Sequence, residues 1–167
     1  MDKDENPRIV LSADRKGTAR LVFSGEGADA RTILEALPNG RTALRIYEKG
    51  GRGKCTFGVD PDGTPMLALY GSKPGLGCSL GILPDDTATL LFKDKKGRPR
   101  SSMGTYLPTG DPYLALRGPD MNSRIMMYAH DSGELGVELW DKHRKPQASM
   151  KILPDGRTVI SPRSAGK

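Results

Sequence analysis

Cysteine is nearly missing from this sequence. Its two copies, Cys55 and Cys78, cannot make a disulfide framework, and neither stands at zinc-type spacing from a histidine. Aromatic residues are few: three Phe, five Tyr and one Trp in 167 residues. No apolar run approaches the length of a membrane-spanning helix. The opening MDKDENPRIVL has no apolar core of the kind a signal peptide carries, so the chain as given is expected to be soluble, with no compartment indicated. The G-x-x-x-x-G-K-[ST] phosphate loop is also absent. The glycine-rich stretches EKGGRGKCT (48–56) and GLGCSLG (75–81) lie between strands, where no helix N-terminus meets a phosphate, and read as hairpin turns.

Turn formers are plentiful. The 21 Gly and 13 Pro make about a fifth of the chain, too many for a helical protein. They recur on a fixed period. Gly17, Gly40, Gly63, Asp86, Gly110, Gly133 and Gly156 follow one another at 23 residues, with a single step of 24 before Gly110. Seven copies of one unit result. Four residues after each turn position stands Leu21, Leu44, Leu67, Leu90, Leu114, Val137 or Ile160. Six residues before stands Leu11, Leu34, Phe57, Leu80, Met127 or Met150, with Met103 one residue earlier in the copy that carries the extra residue. Alternate positions are apolar, the period of a strand with one buried face.

The turns agree with that reading. LPNG, DPDG, LPTG and LPDG put Pro where φ must be near −65° and Gly where φ must be positive. DRKG and DKKG suit a type I turn closed by a glycine bulge. Each unit is therefore strand A, turn, strand B, turn. The expected fold is all-β: seven tandem hairpin repeats in an antiparallel meander, spiralled or folded into a sandwich-like array. Strands are expected at 7–13, 18–24, 31–37, 42–48, 54–59, 65–71, 77–83, 88–94, 100–107, 112–117, 124–130, 135–141, 147–153 and 157–161. A β-trefoil fits poorly because the seven copies are too uniform, and a parallel solenoid because the turns are hairpin turns. Pro7 and Pro162 at the two ends would blunt exposed edges, which favours an open array. One repeat domain, 7–162, lies between a charged tail (1–6) and a C-terminal tail (163–167) expected to be disordered. The 24-residue step predicts a β-bulge at Gly104–Tyr106. Leu67 and Leu90 are expected in the core.

The alternation of D-x-x-G-x-x-R and P-D-G-x-P-x-L-x-L turns is clearest in LLFKDKKGRPRSSMG and DPDGTPMLALYG. It resembles hairpin-repeat arrays of uncharacterised bacterial proteins and is similar to YD-type and MORN-type repeats, which also use two strands per unit. The resemblance covers nearly the whole chain and is architectural. The Tyr-Asp pair and the MORN aromatic-glycine pattern are mostly absent, so no catalytic residue carries over. It implies a scaffold or a binding surface.

Reactive groups do not converge. His130, Asp131 and Ser132 are consecutive at a turn and His143 sits in another; adjacent strand residues point to opposite faces, so these read as solvated turn residues. No enzyme activity, cofactor or metal is expected. Cys55 and Cys78, in the same slot of consecutive copies, are two strands apart in a meander, beyond disulfide reach, and are expected to be free. Gly58, Gly81 and Gly104 share one outward strand slot; Tyr47, Tyr70 and Trp140 share another. The aromatics are expected to cover strand glycines or to form a strip able to stack sugars or bases.

Charge separates by rim. The A-to-B turns sum to −5 and the B-to-A turns, with their flanking residues, to +9. Lys95, Lys96, Arg98, Arg100, Lys142, Arg144 and Lys145 form the basic peaks. The functional expectation is a non-enzymatic module for protein–protein interaction or scaffolding. The alternative is a polyanion- or carbohydrate-binding module using the basic rim and Tyr47, Tyr70 and Trp140. A protein partner is expected, with an anionic polymer or glycan as the other possibility.

Overall fold

A computed structural model of the chain describes residues 1, 3, 5–26, 29–106 and 109–162. It holds fourteen strands: β1 (Ile9–Ala13), β2 (Ala19–Ser24), β3 (Ala30–Ala36), β4 (Thr42–Tyr47), β5 (Gly53–Val59), β6 (Pro65–Tyr70), β7 (Gly77–Ile82), β8 (Ala88–Lys93), β9 (Pro99–Tyr106), β10 (Asp111–Arg117), β11 (Ser123–Ala129), β12 (Leu135–Trp140), β13 (Pro146–Ile152) and β14 (Thr158–Pro162). Each pairs antiparallel with the next, in the order β1 to β14, as one open sheet. The expected strands are all present. The expected C-terminal tail lies outside the described residues.

The hairpin turns explain the 23-residue unit. In six of the A-to-B turns the first residue donates its N–H to the carbonyl four residues on, and the fourth residue donates back to the first. Asp60 N to Thr64 O is 2.9 Å and Gly63 N to Asp60 O is 2.9 Å. The fourth residue has positive φ, which Gly adopts freely; at Asp86 an aspartate holds it instead, at 64°. The extra residue of the fifth copy enters its turn, not the strand: Gly110 N bonds Tyr106 O, a step of four. Pairing of β9 with β10 runs regularly from Asp111↔Tyr106 to Leu116↔Ser101, so the bulge expected at Gly104–Tyr106 is absent. A turn takes up one more residue without disturbing any ladder bond.

Bulges occur elsewhere, and they repeat. Register shifts fall at Phe23/Ser24, Ile46/Tyr47, Phe92/Lys93, Leu116/Arg117 and Leu139/Trp140, always where a B strand approaches its B-to-A turn. The positions that the register skips are Arg31, Lys54, Arg100, Arg124 and Gln147, all long polar side chains. Four of them turn back to a carboxylate of the turn just passed: Lys54 to Glu48, Arg100 to Asp94, Arg124 to Asp120 and Gln147 to Asp141.

The two faces differ. One face carries an unbroken cross-strand row with one residue from every strand: Leu11, Leu21, Leu34, Leu44, Phe57, Leu67, Leu80, Leu90, Met103, Leu114, Met127, Val137, Met150 and Ile160. A second row beside it holds Ile9, Phe23, Ile46, Leu69, Phe92, Leu116, Ile125 and Leu139, with Cys55 and Cys78 separated by Leu69 and free. Cross-strand pairs of this kind contribute about 0.2–1 kcal/mol each.

Packing contacts join consecutive strands, so no second layer of this chain lies on that face among the described residues. The apolar row is consequently open: Leu11 is 81% exposed, Phe57 60% and Ile160 69%. Leu67 and Leu90, expected in a core, are only half-buried. The buried residues sit on the opposite face; beside the carboxylates Glu35 and Asp111 they include the small Ala43, Thr56, Ala68, Thr89, Ser102 and Ala115. Longer neighbours there, such as Arg45, Met66, Leu91 and Met126, stand in the same cross-strand rows and shield them.

Candidate functional site

Four features of this sheet bear on function: the open apolar face, a cleft on the opposite face, the basic rim, and a buried carboxylate.

The cleft, about 620 Å³, spans β9 to β13 on the small-residue face. Tyr106, Tyr113, Tyr128 and Trp140 line it with His130, Glu134, Glu138 and Lys151. The strands place these rings by register. Tyr113 pairs across from Gly104, and Tyr128 across from Gly136, where any Cβ would collide with the Tyr128 ring. Aromatic cover of a strand glycine therefore exists at Gly136, with Tyr128 as its ring, whereas a Cβ at Gly104 would meet the Ala88 carbonyl first. Gly58 and Gly81 are instead explained by backbone: a Cβ at Gly58 would strike the Thr42 carbonyl, and one at Gly81 would lie 2.9 Å from the Pro65 carbonyl.

Polar groups of the cleft are tied to one another. The Tyr128 hydroxyl donates to Glu134 Oε1 at 2.9 Å. Trp140 Nε1 donates to Glu138 Oε2 at 3.2 Å. Lys151 Nζ lies 2.9 Å from Glu138 and 5.7 Å from the Tyr128 ring centre. Burial, foremost, raises the Tyr128 phenol above its ordinary value. The hydrogen bond from Tyr128 holds Glu134 below the usual range.

Asp111, at the cleft edge, is the hub that the sequence reading missed. Its Oδ2 accepts the Thr109 hydroxyl at 2.5 Å and contacts His130 Nδ1 at 2.7 Å; its Oδ1 accepts the Asp131 N–H at 2.8 Å. Thr109, then His130 and Asp131, bring its pKa down from 3.8 to about 2. A signal was available. The residue after the turn position is Thr18, Arg41, Thr64, Thr87, Asp111, Glu134 or Arg157, and the two acidic members fall in adjacent copies beside His130. The Thr109 hydroxyl bonds the carboxylate and not the imidazole, so the arrangement is a clamp between two hairpins and not a nucleophile–base relay.

Of the aromatic strip, Trp140 lines this cleft, while Tyr70 lines a separate depression of about 410 Å³ with Arg52, Lys73 and Leu76. Tyr47, Tyr70 and Trp140 stand on β4, β6 and β12, all at the B-to-A end. At about 4.8 Å per strand, Tyr70 and Trp140 are roughly 29 Å apart, so the three rings do not form one continuous platform.

The basic rim is partly neutralised from within. Arg98 and Arg100 both reach Asp94 Oδ2, at 2.8 and 3.4 Å. Arg98 also donates to the Pro119 carbonyl at 2.8 Å, and Arg100 to the Arg117 carbonyl at 3.1 Å. The Arg98 guanidinium, chiefly, holds Asp94 well below the carboxylate range. Lys95, Lys96, Lys142, Arg144 and Lys145 are exposed at the turns.

Near the other end of the sheet, Glu35 is 3% exposed between two arginines. Arg20 Nε lies 3.3 Å from Oε2 and Arg45 Nη2 2.6 Å from Oε1, the latter close but out of hydrogen-bond alignment. This triad crosses β2, β3 and β4 and staples them on the small-residue face. Among the described residues no cluster of three or more His, Cys, Asp or Glu could hold a metal ion, and no helix is long and apolar enough to cross a membrane.

No protein-family model matches this chain, and no curated protein is similar to it.

Proposed function

We propose that this protein is a non-enzymatic interaction module whose docking surface is the open apolar face of the sheet. One observation carries the reading: a row of fourteen apolar residues, one per strand, faces solvent without interruption. Exposed apolar patches larger than a few hundred Å² on a soluble chain mark interaction sites. This row spans about 62 Å at the ordinary strand spacing. Methionine oxidation in the source cell tests it. Met103 and Met121 have similar exposure in the isolated chain, 53% and 55%, but only Met103 lies on the face. In the cell Met103, Met127 and Met150 should oxidise far more slowly than Met121. Equal rates would mean that nothing docks there.

A second reading, glycan binding, is supported by the cleft on the other face. Tyr106, Tyr113, Tyr128 and Trp140 offer ring faces beside carboxylates, the chemistry that holds sugar C–H and hydroxyl groups. Trp140 is the only tryptophan, so its fluorescence reports the cleft directly. Titration with neutral and sulfated oligosaccharides should shift it; no shift at millimolar sugar removes this reading.

A further inference from the structure

The apolar face needs an occupant, and both its size and the charge of its rims select one. We propose that a second copy of this chain stacks on it face to face, about a two-fold axis running along the hydrogen-bonding direction of the sheet. Each strand then lies over the same strand of its partner, in the opposite sense, and each acidic rim lies over a basic one. This rests on the reading of the apolar face as a docking surface and adds the identity and the symmetry of what docks.

Area comes first. Fourteen strands at about 4.8 Å, each about five residues long at about 3.3 Å rise, give roughly 1,000 Å² per face. Two such faces bury about 2,000 Å², the range of obligate homodimers. Their composition fits as well, since obligate interfaces resemble a domain core cut in half. Sheets stacked about 10 Å apart with interdigitating side chains form an ordinary sandwich core. The single sheet supplies one layer of such a core and the partner the other.

Charge selects the axis. Two identical sheets can meet face to face about an axis parallel to the strands or about one along the hydrogen-bonding direction. The first puts like rim over like rim, +9 over +9 and −5 over −5. The second puts +9 over −5 along both edges. The match also holds hairpin by hairpin. The turn of residues 60–64 carries −2 and its B-to-A neighbour 71–77 carries +1; 84–87 carries −2 and 93–100 carries +4; 131–134 carries −2 and 141–147 carries +2. Residues 14–17 and 24–31 match with both signs reversed, +1 and −1. Only the second hairpin, +1 against +2, departs from the pattern. Charges on facing rims lie near a Debye length apart, close enough to fix orientation even where they add little affinity.

The test uses the purified chain. Sedimentation equilibrium should give twice the 18.0 kDa chain mass at micromolar concentration. Met103, Met127 and Met150 should oxidise at least tenfold more slowly than Met121. Spin labels at Lys16→Cys, with Cys55→Ser and Cys78→Ser, should give an inter-copy distance of about 25 Å, because the two edge hairpins face each other. The parallel axis would put them at opposite ends, about 60 Å apart. The triple change Phe57→Lys, Leu80→Lys and Met103→Lys should shift the mass to that of the monomer; if it fails to fold, the wild-type measurements still decide. A monomeric wild type with Met103 as reactive as Met121 overturns the second copy, while the oxidation pattern in the cell separately decides whether the face docks another protein. A dimer with reactive methionines places the contact elsewhere and overturns it too. A protected dimer with the 60 Å distance overturns the axis.

Discussion

His130 Nδ1 stands 2.7 Å from Asp111 Oδ2, joining two neighbouring hairpins across nineteen residues of sequence. The same carboxylate accepts the Thr109 hydroxyl and the Asp131 N–H, so one side chain ties a turn to the strand beside it. Its pKa is down from 3.8 to about 2 in the folded chain. A depressed carboxylate stabilises the fold fully above its unfolded value and stops doing so as pH falls through its folded value. The contribution is therefore lost between about pH 4 and pH 2. Asp111→Asn should lower stability at pH 7 and flatten the acid limb in that window. Urea midpoints at pH 7, 4 and 2 check it; parallel pH profiles for wild type and variant would mean that Asp111 does not titrate as described.

Two strand glycines are required by backbone proximity. A Cβ at Gly58 would meet the Thr42 carbonyl, and one at Gly104 the Ala88 carbonyl. Gly58→Ala and Gly104→Ala should each cost about 3 kcal/mol, the upper range for overpacking, since the obstacle is a neighbouring strand. At Gly53 the nearest atom to a Cβ is in the Tyr47 ring at 3.9 Å, so Gly53→Ala should stay within about 0.5 kcal/mol. Denaturant melts of the three variants compare them directly.

Asp86 holds a positive φ of 64° where most sister turns use glycine. Asp86→Gly relieves that strain at the cost of a freer unfolded chain, and should raise stability by up to about 1 kcal/mol. Thermal unfolding measures the sign; a lower midpoint would show that the aspartate makes a compensating contact.

The basic rim divides into two classes of cation. Lys95, Lys96, Lys142 and Lys145 are exposed at turns, so their joint change to Ala should lower the salt needed to elute the protein from heparin, with stability nearly unchanged. Arg98→Ala and Arg100→Ala break contacts to Asp94 and to two carbonyls. They should reduce thermal stability more than retention. The reverse pattern would show the arginines to be the anion contacts.

Strand positions were legible in the sequence because alternation and the 23-residue turn spacing are local properties, and hairpin pairing follows from them. The extra residue near Gly110 was visible, but its location was not: a turn and a strand can both accept it, and the turn does so without losing ladder bonds. Apolar periodicity showed that Leu67 and Leu90 share a face. It could not show that no other part of the chain covers that face, which is a property of tertiary packing. The recurrent bulged residues Lys54, Arg100 and Arg124 entered the reading only as rim charge, yet each reaches a carboxylate of its own turn, as the uncharged Gln147 also does. Asp111 and His130 were hidden because each looks like an ordinary turn residue until the register sets their hairpins side by side.

Because packing contacts join consecutive strands, cooperativity in this fold is a nearest-neighbour property. Each hairpin is stabilised by the one before and the one after, and the two terminal hairpins have one neighbour each. Copy number is then a length setting and not a condition of closure. Removing one whole interior unit should shorten the sheet by two strands and leave every remaining pairing intact, whereas removing half a unit would invert the strand sense of all that follows. Change by gain or loss of whole 23-residue units is therefore mechanically permitted here, and the natural scale on which to measure this protein is the hairpin.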